Sequence, residues 1–233
     1  MSIAVSFIIP AYNEEPRLKG SLEKVLRYCN SAGFTYEIII VDDGSSDGTI
    51  ETCREFENVK VISQPRNLGK GAAVRTGMLA AEGEYRIFSD ADLSTPIHET
   101  QKILGFLKAG YDVCIGSRAL DSSMIKVHQP FYREFMGKTF NRIVQMLVVK
   151  GIRDTQCGFK GFTAAAAENV FSKALINGFG FDVEILYLAK LSGLKIKETP
   201  VEWYNDERSK VDPIKDPLRM FGEILKIRSL HRK

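Results

Sequence analysis

No apolar run in the sequence approaches the roughly 20 residues needed to cross a bilayer, so no transmembrane helix is expected. The first ten residues, Met1 to Pro10, have neither a basic leader nor a cleavage site, so no signal peptide is expected. Only four cysteines occur, Cys29, Cys53, Cys114 and Cys157, and no CxxC pair is among them. That argues against a zinc knuckle or a redox dithiol and for reduced thiols in a cytosolic protein. The net charge is only +3, and no lysine or arginine run tracks a phosphate backbone, so nucleic acid is not an expected partner. No GxGxxG follows an apolar run, which disfavours a dinucleotide oxidoreductase. The three histidines, His98, His128 and His231, lie away from the segments singled out below and read as surface or structural residues. The expected location is cytoplasmic, peripheral at the cytoplasmic face of a membrane.

What is present is a regular alternation. Short β-rich runs, Val5 to Ile9, Glu37 to Val41, Val59 to Ile62, Tyr85 to Phe88 and Asp112 to Ile115, are separated by helical patterns. The helices are expected at Glu15 to Ala32, Gly48 to Phe56, Gly71 to Ala81 and Ile97 to Lys108. Pro10 is expected to stop the first strand. Near-continuous apolar strands are buried on both faces, and alternation with helices implies an α/β fold with a mostly parallel sheet. With 233 residues, 44% of them hydrophobic, the chain suffices for one large domain or one domain with an appendage.

In such a sheet the ligand lies outside the carboxyl ends of the strands. Polar, charged and glycine residues follow every strand there: Pro10 to Glu15, Asp42 to Gly48, Gln64 to Gly71, Asp90-Ala91-Asp92 and Gly116-Ser117-Arg118. Asp42, still on its strand, reads as a ligand contact, whereas Asp47 or Ser46 reads as a helix cap. Asn67 to Gly71 lacks the pattern of a P-loop, but its glycines open a helix whose N–H groups suit an anion, and Lys70 adds positive charge; an ordinary turn with a solvated lysine fits equally well. Asp90 and Asp92 flank a small residue at the end of an apolar strand. Carboxylates that close repel, and a hard divalent cation, Mg²⁺ or Mn²⁺, would relieve them and leave room for substrate phosphates. A helix N-terminus is compatible with this, with Ser94 or Thr95 as its cap and Pro96 after it.

The order PAYNEE, VDDGSSDGT, NLGKGAAVRTGM, FSDADLS and GSR resembles the family 2 glycosyltransferases of the GT-A fold. Gly151 to Lys160, Phe181-Asp182-Val183-Glu184 and Ser209-Lys210 resemble the branch of dolichyl-phosphate and polyprenyl-phosphate sugar synthases, and the likeness runs from about Ser6 to Val211. Within that branch the chain is similar first to dolichyl-phosphate β-glucosyltransferases, users of UDP-glucose, and then to mannose synthases, users of GDP-mannose. The resemblance implies that Pro10, Ala11, Tyr12, Glu14 and Asp42 line a nucleoside pocket, with Lys70, Asp90 and Ala91 nearby. It implies Asp92 as the metal ligand, with Asp90 or Gln156 as further candidates, and Lys210 on the diphosphate. Arg118 and Arg133 would grip an acceptor phosphate, and Asp154 and Gln156 would face the sugar. Arg208 departs from the family, which often has glycine before the Ser-Lys pair.

An acceptor phosphate is already anionic at neutral pH and needs no general base, so the lack of a catalytic histidine is unsurprising. In-line attack would give a β-linked product from an α-linked donor. A hydroxyl acceptor would need a carboxylate base, and Asp154 or Asp182 would be the candidate. A non-catalytic nucleotide-sugar-binding protein is the remaining alternative. Residues 1–211 read as the catalytic domain, within which 130–150 mixes apolar and basic residues as a membrane-facing helix would. Residues 212–233 read as a second amphipathic helix. The bland reading, that both helices pack on the core, stands beside the expectation of a membrane surface or a membrane-protein partner.

Overall fold

The computed structural model describes residues 2–129, 131–206 and 215–232, those at 131–135, 138 and 215–217 by backbone alone. The chain opens with β1 (Val5–Ala11), α1 (Glu15–Ser31), β2 (Tyr36–Asp42), α2 (Thr49–Arg54), β3 (Val59–Ser63), α3 (Lys70–Ala80) and β4 (Tyr85–Ser89). After it come α4 (Thr100–Lys108), β5 (Val113–Ser117), β6 (Ile125–Val127) and α5 (Phe131–Leu147). The last third holds β7 (Phe159–Thr163), α6 (Ala164–Phe171), α7 (Phe181–Leu191), β8 (Ile196–Pro200), β9 (Trp203–Tyr204) and α8 (Lys215–Leu230).

Seven strands form one sheet in the order β3-β2-β1-β4-β7-β5-β8. All run parallel except β7, which enters antiparallel between β4 and β5. The tips of β1 to β5 therefore share one edge, and the segment leading into β7 starts from that edge. Alternate residues of β1 serve opposite faces. Phe7 and Ile9 join a core layer with Leu18, Leu22 and Val25 of α1, whereas Ile8 joins the layer with α3, α6 and α7. Both faces are covered, which is why the strands read as unbroken apolar runs.

Pro10 does not stop β1. The strand continues to Ala11, paired with Asp42. Ala11 turns its carbonyl to Asp43 N (2.8 Å) on the β2 side, so Pro10 faces β4, where the pairing has already ended at Ile8 and Phe88. The missing N–H costs no ladder bond there. A second departure is the start of the segment before α4. Neither Ser94 nor Thr95 caps it; a short 3-10 turn begins at Ile97 without a side-chain cap, and the Thr95 hydroxyl meets Cys157 Sγ at 3.8 Å.

The C-terminal helix packs on the domain. Ile224 and Ile227 are buried in the core, Glu223 accepts from Gly180 N at the start of α7 (2.9 Å), and His231 meets the fully buried Glu184 at 2.7 Å. His231 is thus structural, and His98 and His128 are exposed. All four cysteines are free thiols. No described helix is long and apolar enough to cross a membrane.

Phe162 lies at the centre of the larger core layer with no exposure, its ring 5.3 Å from that of Phe171. Phe162→Ala should cost about 3–5 kcal/mol of unfolding free energy, read by urea titration.

Candidate active site

The loops at the carboxyl edge are held by side chains chosen for that task. Asp43 accepts from Leu68 N (2.7 Å) and Gly69 N (2.9 Å), tying the loop after β3 to the tip of β2. Gly69 has φ +107°, and a Cβ there would lie 2.4 Å from Asn177 O, so only glycine fits. Lys70 is thereby delivered as the first residue of α3. Among the described non-glycine residues only Asn13 and Leu93 have positive φ, +54° and +49°. Both flank strand tips of this edge, where stored strain of about 1–3 kcal/mol is a common mark of a functional site. Asn13 is fastened by its Oδ1, which accepts from Ser46 N (2.8 Å). The N-cap of α2 is Gly48 rather than Asp47 or Ser46; Asp47 stands one residue earlier and closes the turn by accepting from Thr49 N at 3.1 Å.

Lys70 Nζ lies 2.6 Å from Asp90 Oδ1. Burial opposes the lysine's charge, but Asp90 and Asp182 outweigh it and raise the ammonium to about 12. Asp182 itself is paired with Lys160, a lysine with no exposed surface. Asp92 is different. One oxygen accepts from Ser94 N (2.9 Å), and the nearest described cation to the other is Arg17 Nη1 at 3.9 Å. Burial and the charge of Asp90 raise its pKa above the ordinary aspartate value. Among the described residues, Asp92 therefore keeps a carboxylate oxygen that no cation approaches within hydrogen-bond distance, the donor type that Mg²⁺ or Mn²⁺ prefers. A cleft of about 890 Å³ opens beside it, lined also by Ser94, His98, Tyr204 and Asp206.

Farther along the edge, Asp154 is 1% exposed and receives three bonds from Arg118: its backbone N (2.9 Å), Nε (2.8 Å) and Nη2 (2.9 Å). Burial alone would lift the Asp154 carboxyl, yet Arg118 holds it down at about 2. The Arg118 guanidinium stacks 5.5 Å from the Trp203 ring and keeps 26% of its side-chain surface exposed. A planar cation is thus fixed on one side and accessible on another, an arrangement that suits a phosphate.

Of the residues assigned by resemblance, Ala11, Ala91 and Asp42 are buried and Glu14 is 8% exposed, while Tyr12 is 39% exposed on the same edge. Pro10 is half-buried. Asp42 faces Ser45 N at 3.3 Å. Gln156 turns its amide to Met220 Sδ of α8 (2.6 Å), and its backbone N donates to Asp154 (3.3 Å). Lys210 and the Arg133 side chain lie outside the described residues.

Four contributors escaped the sequence reading. Arg17 pairs with Glu14 and lies 3.3 Å from Asp206; as one of many helix-surface arginines it carried no signal. Trp203 is marked only by being the single tryptophan, and Lys160 only by its place in the Gly151 to Lys160 segment. Asp43 was hidden by its neighbour Asp42.

Asp154 makes stability depend on pH. Its folded-state value, about 2, lies below the ordinary 3.8, so the pair stabilises fully above the unfolded value and the contribution is lost as pH falls toward 2. Asp154→Asn should flatten the dependence of unfolding free energy on pH between about 4 and 2, measured by urea titration against the parent protein; an unchanged slope would remove Asp154 from the account.

Residues 6–171 match the family model described as Glycosyl transferase family 2. The chain is 38% identical to a mouse dolichyl-phosphate beta-glucosyltransferase over 96% of its length and 74% of that protein's. It is 36% identical to one from Dictyostelium discoideum (97% and 74%) and 33% to one from Saccharomyces cerevisiae (97% and 74%). Among solved structures it resembles glucosyl-3-phosphoglycerate synthase from Mycobacterium tuberculosis in complex with Mn²⁺, UDP and glucosyl-3-phosphoglycerate, with a TM-score of 0.67 at 17% identity over 98% of this chain and 80% of that one. The mostly parallel sheet with flanking helices is the GT-A fold of such neighbours. The chain belongs to glycosyl transferase family 2 and is a glycosyltransferase.

Proposed function

We propose that the protein transfers glucose from UDP-glucose to a polyprenyl or dolichyl phosphate, with Mg²⁺ or Mn²⁺ held at Asp92. The observation that carries this reading is the Arg118–Asp154 unit. It presents a fixed, accessible cation at the same edge as Asp92, and it leaves Asp154 neutralised as a salt-bridge partner. A carboxylate held near 2 is a poor general base at neutral pH. The other base candidate, Asp182, is 4% exposed and paired with Lys160. A hydroxyl acceptor would find no free base among these two, whereas an anionic phosphate needs none. The names borne by the relatives support the glucosyl donor and the dolichyl acceptor over a GDP-mannose pairing, and a neighbour of this fold crystallised with Mn²⁺ and UDP-glucose supports the cation.

A cation bound at Asp92 would act as a Lewis acid toward the leaving diphosphate. The chain's own groups do the rest. Lys70 neutralises Asp90 so that the donor phosphates meet one uncompensated carboxylate instead of two. Arg118 receives the acceptor phosphate, and Asp154 with Trp203 keeps the guanidinium from turning away. Attack from the acceptor side, opposite the leaving group, inverts the anomeric centre.

The acceptor lipid also has a place to approach from. Leu218, Phe221 and Leu225 lie one stripe apart on α8 and are exposed at 69%, 37% and 56%. Arg219, Lys226 and Arg228 stand exposed beside them. This composition suits peripheral attachment to an anionic membrane surface.

Incubation with UDP-[¹⁴C]glucose, Mn²⁺ and polyprenyl phosphate should give an organic-extractable labelled lipid. Arg118→Lys should raise the KM for polyprenyl phosphate about tenfold, the equivalent of ~1.4 kcal/mol, and leave the KM for UDP-glucose unchanged. Label passing only to a water-soluble hydroxyl acceptor would overturn the reading.

A further inference from the structure

Lys160 is the least expected charge in the molecule. It sits on β7 opposite Phe88 of β4 and Ile115 of β5, with no exposed surface and its ammonium 5.2 Å from the Phe88 ring. A lysine in such a place is costly unless every donor is used and the charge is matched. Nζ donates to Cys157 O at 2.7 Å and pairs with Asp182. Both partners lead to the donor side of the site.

The first route is backbone. Cys157 precedes Gly158, whose carbonyl accepts from Asp90 N (3.1 Å). Gly158 also lies under the Asp90 carboxylate: a Cβ on it would stand 2.0 Å from Oδ2. The Asp90 side chain therefore rests on the peptide that Lys160 fastens. The second route is charge. Asp182 feels both Lys160 and Lys70, and Lys70 pairs with Asp90 at 2.6 Å. Positive and negative groups alternate from Lys160 through Asp182 and Lys70 to Asp90.

We infer that Lys160 is a positioning residue for donor binding, holding Asp90 in place through the Cys157-Gly158 backbone. It touches no substrate itself. The inference rests on the donor-site reading above and extends it to a residue that no contact with a ligand would identify. Removing Lys160 alone would strand Asp182 as a buried charge, so both charges are removed together in Lys160→Met/Asp182→Asn, a replacement that buried pairs often tolerate.

The test is calorimetric titration of UDP into the protein with Mn²⁺ present, alongside a thermal melt of each variant. The double variant should bind UDP–Mn²⁺ about tenfold more weakly, the scale of lost supporting contacts around a metal site, with a cooperative melt. Gly158→Ala keeps both charges and pushes directly on the Asp90 carboxylate; it should show the same loss, and it stands in if the double variant does not fold. UDP–Mn²⁺ affinity equal to the parent's in a folded variant of either kind would overturn the inference. Failure of the parent protein to bind UDP with Mn²⁺ would instead count against the donor-site reading itself, and with it the role of Lys160.

Discussion

The structure is organised by the need to hold carboxylates together at one edge of a sheet. Asp90, Asp92, Asp154 and Asp182 are delivered there by different elements, and each is expensive to keep ionised when partly or wholly removed from water. Three of them are matched by a cation from another segment: Lys70 with Asp90, Arg118 with Asp154, Lys160 with Asp182. Among the described residues Asp92 has only Arg17 near it, at 3.9 Å and beyond hydrogen-bond reach. Among the described residues the uncompensated charge thus falls on Asp92 beside the cleft, where we propose a divalent cation would bind.

The fold serves this matching. The parallel run of β1, β2, β4 and β5 brings their tips to one edge, and the antiparallel insertion of β7 adds a strand that starts from that edge. That reversal lets the segment from Asp154 to Gly158 lie between the tips of β4 and β5. It can then hold Arg118 on one side and support Asp90 on the other. The C-terminal helix closes the back of this region, with Glu223 at the start of α7 and Met220 against Gln156. An exposed apolar stripe remains on its outer face.

Much of this was legible. The first five strands and four helices are marked by apolar runs and their spacing, and the polar segments after each strand point to the edge before any fold is known. The strand Phe159–Thr163 was not, because FKGFT is short and reads as the tail of a charged segment; its place is fixed by pairing with β4 and β5, which are distant in sequence. Pro10 misled because a proline ends a strand only where its N–H would be needed, and the geometry of a neighbour's end is not local information. Ser94 and Thr95 looked like caps, but the backbone after Asp92 turns through Leu93 with positive φ and sends Thr95 toward Cys157. Asp154 was read as facing the sugar, with a role as base held open. Its partner Arg118 is 36 residues away, so the pairing that neutralises it lay beyond any local pattern.

We propose that Asp92, the carboxylate of this edge that no described cation approaches closely, would hold the divalent ion that neutralises the donor's diphosphate. Calorimetric titration of UDP-glucose into the parent protein and into Asp92→Asn, each with and without Mn²⁺, tests this most directly. Tight binding is expected only for the parent with Mn²⁺, and weak binding in the other three cases. Equal affinity with and without the ion, or undiminished Mn²⁺-dependent binding in Asp92→Asn, would contradict it.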